Sequence, residues 1–115
     1  MTSLSISSRT LEDTVTLTVT GEIDLSNAES LYKALTQALA PGSPVIVDLT
    51  GVGFIDSRGL GALVRAQHEA VQIATAPILL IPSDPVARVL ELAGTDGIIP
   101  VYRDQAEALA ALTGP

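Results

Sequence analysis

Two short, almost unbroken apolar runs, residues 45–49 and 78–81, constrain the fold of this chain more than any other feature of its sequence. Runs of this length, rich in valine, isoleucine and leucine, are typical of strands covered on both faces, as in parallel sheets. The residues between them predict an amphipathic helix that begins at Ser57. Its apolar face consists of Leu60, Leu63, Val64, Val71 and Ala74. A strand, a helix and a second strand in this order predict an α/β fold.

A strand pair is predicted before this unit. Leu4 and Ile6 alternate with serines, and in residues 14–20 threonines alternate with valines and a leucine. Alternation with a period of two indicates strands that expose one face. The polar residues 10–13 separate the two segments and predict a hairpin turn, and Gly21 is expected to end the second strand.

Helix-start patterns mark three further helices. Ser26 with Glu29, and Asp104 with Glu107, have the spacing of capping boxes, in which the two side chains satisfy backbone N–H groups at the helix start. Between these two helices, Asp84 directly precedes a proline and is predicted to cap a third one.

The complete order of elements predicts a single mixed sheet. Residues 98–102 predict a last short strand, and Pro100 indicates that it lies at a sheet edge. The order β-β-α-β-α-β-α-β-α then gives a mainly parallel sheet of about five strands with an N-terminal hairpin, covered by about four α-helices. We expect one domain over residues 1–115, since this length suits a single hydrophobic core.

Charge and composition exclude several classes of function. The formal net charge is -7 and the 6 Lys and Arg residues are scattered, which argues against nucleic acid and anionic membranes as partners. There is no cysteine, hence no disulfide and no thiolate metal ligand. Residues 51–53 are half of a dinucleotide fingerprint, but Asp56 replaces its last glycine, so we expect a turn there and no cofactor. Because no secretory signal or membrane-spanning run is visible, we expect a cytoplasmic protein.

Residues 45–61 form the candidate site, because a buried strand runs into a glycine-containing loop that ends at a predicted helix start. In open α/β sheets, ligands and partners bind at the carboxyl ends of the strands. Ser57 lies at or near the N-cap, where its hydroxyl is accessible and the helix dipole favours an added negative charge. Gly59 and Gly61 are poor helix formers, and glycines in a first turn indicate that something approaches closely.

Several segments of the chain also carry a family resemblance. Residues 56–61 read Asp-Ser-Arg-Gly-Leu-Gly, and residues 21–24 read Gly-Glu-Ile-Asp. Together with residues 82–94, 101–102 and 107–108, they resemble the phosphorylation loop, first motif, third helix and last strand and helix of the STAS domains of anti-sigma factor antagonists. The resemblance implies a STAS-type α/β fold over essentially the whole chain.

The resemblance further implies a partner switch. In that family the unmodified antagonist binds an anti-sigma factor, often a serine kinase that uses Mg-ATP, and so frees a sigma factor. The kinase phosphorylates the loop serine, here Ser57, the modified antagonist lets go, and a PP2C-type phosphatase resets it. The implied partner-binding residues are Asp24, Asp56, Ser57, Arg58, Gly59, Leu60 and Gly61. We therefore expect a non-enzymatic anti-sigma factor antagonist that is a monomer or a weak dimer.

Arg58 departs from the commonest family pattern, which has a small hydroxyl residue there. We expect Arg58 either to pair with a phosphate on Ser57 or to change which kinase docks. Asp24 is expected close to Ser57, because the ends of neighbouring strands meet at one sheet edge. The structural alternatives are that Ser57 only caps its helix and that Asp24 and Asp56 are solvated turn residues.

Three other functions fit parts of the sequence. Ser57 with Gly59 resembles half of a hydrolase nucleophile elbow, but the only histidine, His68, lies roughly 16 Å further along the same predicted helix, too far to act as its base. An aspartyl-phosphate receiver domain needs a lysine after a late strand, whereas the sole lysine, Lys33, is in the first helix. A constitutive STAS interaction subunit of a transporter or of a larger signalling assembly stays open.

Overall fold

The computed structural model describes residues 3–95 and 97–113 and confirms the α/β class. The strands are β1 Leu4–Leu11, β2 Thr14–Ile23, β3 Val45–Ile55 and β4 Ile78–Pro82. The helices are α1 Ala28–Ala38, α2 Ser57–Glu69, α3 Asp84–Leu92 and α4 Gln105–Thr113, and a π-helical segment, Ala70–Ala74, continues α2. The expected domain range, residues 1–115, includes termini outside the described residues. No helix in the described ranges is long and apolar enough to cross a membrane.

The sheet is mixed and has the order β1-β2-β3-β4. The strands β1 and β2 form the predicted antiparallel hairpin, and β2, β3 and β4 are parallel. The expected fifth strand is reduced to one parallel bridge, in which Leu80 pairs with Val101. Leu80 N donates to Pro100 O at 2.9 Å, and Tyr102 N donates to Leu80 O at 2.8 Å. Because Pro100 has no N–H, this edge segment continues the ladder no further.

Both faces of the parallel strands are covered, as the two apolar runs predict. On one face, helices α1, α2 and α3 pack on the main core. That core includes Leu31, Leu35, Val45, Val47, Leu63, Leu80 and Leu90, all buried. On the other face, α4 covers a smaller cluster around Ile46, Leu79 and Ile81. Burial of each such side chain contributes about 1.5–3 kcal/mol to the stability of the folded chain. Because side chains along β3 and β4 point alternately to the two faces, this burial holds both helix layers to the sheet.

The strand β3 is longer than the sequence predicts, and the prediction of a glycine-containing loop between this strand and α2 is wrong. Residues 50–55 continue the strand and pair with β2 through two register shifts, up to the pair Ile23 and Ile55. A Cβ at Gly51 would lie 2.7 Å from Thr20 Cγ2, so a larger residue there would have to displace that side chain, and the glycine reflects close strand packing and not a turn. The strand β2 likewise continues past Gly21, where its end was expected.

Two of the three predicted helix caps are displaced. The N-cap of α1 is Asn27, without a side-chain cap hydrogen bond, so the predicted Ser26 and Glu29 box is not formed. Ser83, not Asp84, caps α3: its Oγ accepts from Val86 N at 3.3 Å and donates to Val52 O at 2.6 Å. Ser83 is favoured as the cap because its hydroxyl also bonds to β3 and so attaches the helix to that strand. Before α4, Asp104 accepts from Glu107 N at 2.8 Å, as predicted.

The π-helical segment changes which residues after α2 face the core. Ala70 and Ala74 are buried, whereas Val71, predicted on the apolar face, is 55% exposed. A π turn holds more residues than an α turn, so it rotates the following side chains around the helix axis. In this segment the predicted apolar face is therefore wrong at Val71, whereas Ala74 is buried as predicted.

Candidate functional site

The carboxyl ends of β2 and β3 meet at one edge of the sheet. Ile23 pairs with Ile55, and Asp56 N donates to Ile23 O at 3.1 Å. Asp24 and Asp56 are the residues that follow these partners, so the two acidic side chains leave neighbouring strand ends. The edge also contains the start of α2, and with it Ser57.

Asp56 is the N-cap of α2, and Ser57 is the first helical residue. The Oδ1 atom of Asp56 accepts from Arg58 N and from Gly59 N, both at 3.0 Å. These bonds satisfy two of the donors that a helix start leaves open. Ser57 is exposed, and its hydroxyl makes no hydrogen bond to any residue in the described ranges. The cap is thus formed without Ser57, which leaves its hydroxyl free to react.

Asp24 organises the turn between β2 and α1. Its Oδ1 accepts from Ser26 N at 2.8 Å and from Ser26 Oγ at 2.6 Å. The buried Asn27 accepts from Asp24 N at 3.0 Å and donates from Nδ2 to Glu22 O at 2.9 Å. These bonds hold the half-buried Asp24 carboxylate in a defined position. The capping pattern predicted Ser26 as the cap and missed Asn27, whose role depends on a carbonyl five residues earlier.

The two glycines of α2 differ in what surrounds them. A Cβ at Gly59 would lie 2.4 Å from Ile23 Cγ2 and 2.9 Å from Ile55 Cγ1, so the helix start can rest on the strand ends only with glycine there. A Cβ at Gly61 would meet no atom of residues 3–95 and 97–113 within 4 Å. The close approach expected for both glycines is therefore internal at Gly59, which is buried, and the fold places no such demand on Gly61.

The family model for the STAS domain matches residues 5–108. This chain belongs to the STAS domain family. Within this STAS domain, the matched range includes every residue of the site described above.

Individual relatives agree with the assignment. The anti-sigma-B factor antagonist of Listeria monocytogenes is 32% identical over 96 residues, which is 83% of this chain and 84% of that protein. An anti-sigma factor antagonist from Mycobacterium paratuberculosis has a similar structure, with a TM-score of 0.84 at 24% identity over 97% of this chain and 96% of that chain. The Bacillus cell fate determinant SpoIIAA, solved in its phosphorylated form, has a TM-score of 0.67 at 22% identity over 94% of this chain and 99% of that chain. The two structures show the shared fold.

The STAS domain also exposes apolar side chains at the strand ends that the sequence did not single out. Leu25 is 67% exposed beside Asp24, and Phe54 is 49% exposed near the end of β3. Leu60 is half-buried against the main core, so only part of its side chain is available to a partner. In the sequence, the position of Leu25 directly after the acidic turn residue Asp24 was the signal that could have identified it as part of the site.

Arg58 and His68 lie on the exposed surface of α2. Arg58 lines a small cleft against α1 together with Arg65. His68 is in the last turn of α2, whereas Ser57 begins the helix, as the sequence argument against a Ser-His pair requires. No group of three or more His, Asp or Glu side chains among the described residues could hold a metal ion.

Proposed function

We propose that this STAS domain is a cytoplasmic anti-sigma factor antagonist that acts by binding and not by catalysis. Its unphosphorylated form binds an anti-sigma factor of the serine-kinase type and so releases a sigma factor. Phosphorylation of Ser57 ends that binding, and a PP2C-type phosphatase restores it. The names of the relatives support the general role, and the site residues support the regulated step.

One observation carries this proposal: Ser57 is exposed at the first position of a helix that Asp56 already caps. A serine that only capped the helix would use its hydroxyl for the backbone, and this one does not. The exposed Leu25 and Phe54 lie in the segments next to it, and apolar side chains of this kind supply the buried centre of protein interfaces. The partner surface therefore includes Asp24, Asp56, Ser57, Arg58 and Gly61, with Leu60 at its margin and Gly59 beneath it.

The phosphate acts mainly through charge at the interface. A helix N-terminus favours an anion, so the modified domain keeps its fold. Two backbone donors of the first turn are already bonded to Asp56, and the phosphate adds nearly two negative charges beside that carboxylate. A partner that fits a neutral hydroxyl then faces a dianion. Like charges in an interface supply several kcal/mol, and a hundredfold loss of affinity needs only about 2.7 kcal/mol.

The test uses the serine-kinase-type anti-sigma factors encoded in the genome that carries this chain, each purified. Calorimetry measures their affinity for the unmodified chain, for the chain with phosphoserine incorporated at position 57, and for a control with phosphoserine at Ser5, which is exposed on β1. We expect one of them to bind the unmodified chain and the Ser5 control alike, and to bind the Ser57-modified chain at least about a hundredfold more weakly.

Further variants separate the site from the fold. Ser57→Ala should bind constitutively and accept no phosphate from the kinase. Asp24→Asn keeps both acceptor bonds to Ser26 and hence the turn, so its circular dichroism spectrum should be that of the wild type. Because the substitution removes the negative charge, it should weaken binding to the anti-sigma factor. Equal affinity of the Ser57-modified and unmodified chains would disprove the switch, and the constitutive-subunit function would take its place.

A further inference from the structure

A small cleft lies between the start of α1 and α2, with the exposed Arg58 and Arg65 at its rim and the buried Ala62 at its base. Its volume is about 150 Å³, and its lining residues are Leu25, Ala28, Glu29, Arg58, Ala62 and Arg65. The spacing of Arg58, Ala62 and Arg65 places them on one side of α2, with an arginine at each end and an alanine between them. The cleft is thus a single slot between two cationic side chains.

The two arginines of the cleft differ in their partners. Arg65 Nη1 lies 3.8 Å from Glu29 Oε1, and its guanidinium carbon lies 4.0 Å from the centroid of the Tyr32 ring. Arg58 is exposed and forms no salt bridge within the described part of the chain. Two arginines against one glutamate leave the cleft with a positive charge, although the whole chain has a formal net charge of -7.

The size and lining of the cleft indicate what it can hold. A volume of about 150 Å³ is well below that of ordinary small-molecule pockets, and it suits one side chain. Ala28 and Ala62 leave room for an apolar stem, and the exposed Leu25 adds apolar surface at the rim. The guanidinium of Arg58 offers a fork of N–H donors that matches a carboxylate.

We propose that this cleft receives a glutamate or aspartate side chain of the anti-sigma factor, held by Arg58, and that this contact determines which anti-sigma factor the domain selects. The inference rests on the proposed function, because it concerns the same partner. Adjacent helix residues do not face each other, and Arg58 lines the cleft, so its guanidinium serves the cleft and not a phosphate on Ser57. A phosphate one residue away would instead repel the carboxylate in the cleft, which adds to the release of the partner.

The decisive measurement compares Arg58→Gln, Arg58→Lys and Arg88→Gln for affinity to the anti-sigma factor, at low and at high ionic strength. Arg88 is an exposed arginine on α3 that does not line the cleft, so its replacement makes the same change in net charge. We expect Arg58→Gln to lose at least about tenfold in affinity, equivalent to about 1.4 kcal/mol. Arg58→Lys should lose less, since it keeps the charge without the fork, and Arg88→Gln should stay within about twofold.

A double-mutant cycle then identifies the partner residue. Neutralising one Asp or Glu of the anti-sigma factor should weaken binding to the wild-type chain and leave binding to Arg58→Gln nearly unchanged. Equal affinities of Arg58→Gln and Arg88→Gln would overturn the cleft contact. If Ser57 phosphorylation still released the partner in that case, the proposed function would stand without the cleft.

Phosphorus NMR of the Ser57-phosphorylated chain tests the competing role of Arg58 without a partner. Loss of the nearby positive charge alone should raise the titration midpoint of the phosphate in Arg58→Gln by no more than about half a pH unit. A rise of more than about one pH unit would mean that Arg58 binds the phosphate directly, and it would overturn the inference. If the unmodified wild type bound none of the anti-sigma factors, the proposed function and the cleft contact would fall together.

Discussion

The inward and outward faces of α2 each contain a glycine, and packing within the chain explains one of them but not the other. On the inward face, Gly59 lies so close to Ile23 and Ile55 that no Cβ fits. On the outward face, Gly61 has open space around it, although a glycine inside a helix costs about 1 kcal/mol relative to alanine. The inward face is explained by packing within the chain. The outward face carries a local destabilisation that no contact within the described part of the chain requires, which agrees with its proposed role in binding.

The sharpest test of the inward face is Gly59→Ala. The added methyl group would overlap Ile23 Cγ2 and force the helix start away from the strand ends, so we expect the free energy of unfolding to fall by about 2–3 kcal/mol. Urea denaturation followed by circular dichroism measures this change. Wild-type stability in this variant would show that the strand ends yield easily, and the contrast between the two glycines would be lost.

Gln67 tests the same face nearer the other end of α2. Its buried side chain accepts from Ile78 N at 2.8 Å, which ties the helix to the start of β4. Gln67→Met keeps the side-chain volume but leaves this buried N–H without a partner. We therefore expect the free energy of unfolding, measured by denaturation, to fall by about 2 kcal/mol. Gln72→Met, at an exposed position in the π-helical segment, is the matched control and should be nearly neutral.

Asp56 precedes both faces of α2 as the N-cap of the helix. Asp56→Ala removes the acceptor for Arg58 N and Gly59 N, and we expect it to lower the free energy of unfolding by about 1 kcal/mol. Asp56→Asn keeps a capping oxygen and should differ from the wild type by only a few tenths of a kcal/mol. Equal losses in the two variants would assign the stabilisation to the charge of Asp56 rather than to the cap.

Gly61→Ala gives the smallest expected change in stability and the clearest test of the outward face. Because none of the described residues meets the new Cβ, we expect the variant to be more stable than the wild type by up to about 1 kcal/mol. If the partner approaches α2 closely here, affinity for the anti-sigma factor should fall by about tenfold, or about 1.4 kcal/mol. A more stable variant with unchanged affinity would remove Gly61 from the partner surface.

The sequence predicted elements better than their ends. The two apolar runs led correctly to parallel strands covered on both faces, and the alternating threonines led to the hairpin. The capping pattern at Ser26 failed, because Asn27 bonds back to Glu22 in the preceding strand. The turn expected at residues 51–53 was strand, because pairing with β2 outweighs the local preference of glycine for turns.

The order of β1 to β4 and of α1 to α4, and the presence of a serine at the start of α2, were determined by the sequence alone, because apolar periodicity and cap residues act over a few neighbouring positions. Tertiary structure decided that Gly59 and not Gly61 is needed for packing, and that Arg58 faces a cleft against α1. Each of these depends on how α2 sits against residues 23–29 and 55, and contacts between segments so far apart in the chain have no local pattern that would reveal them.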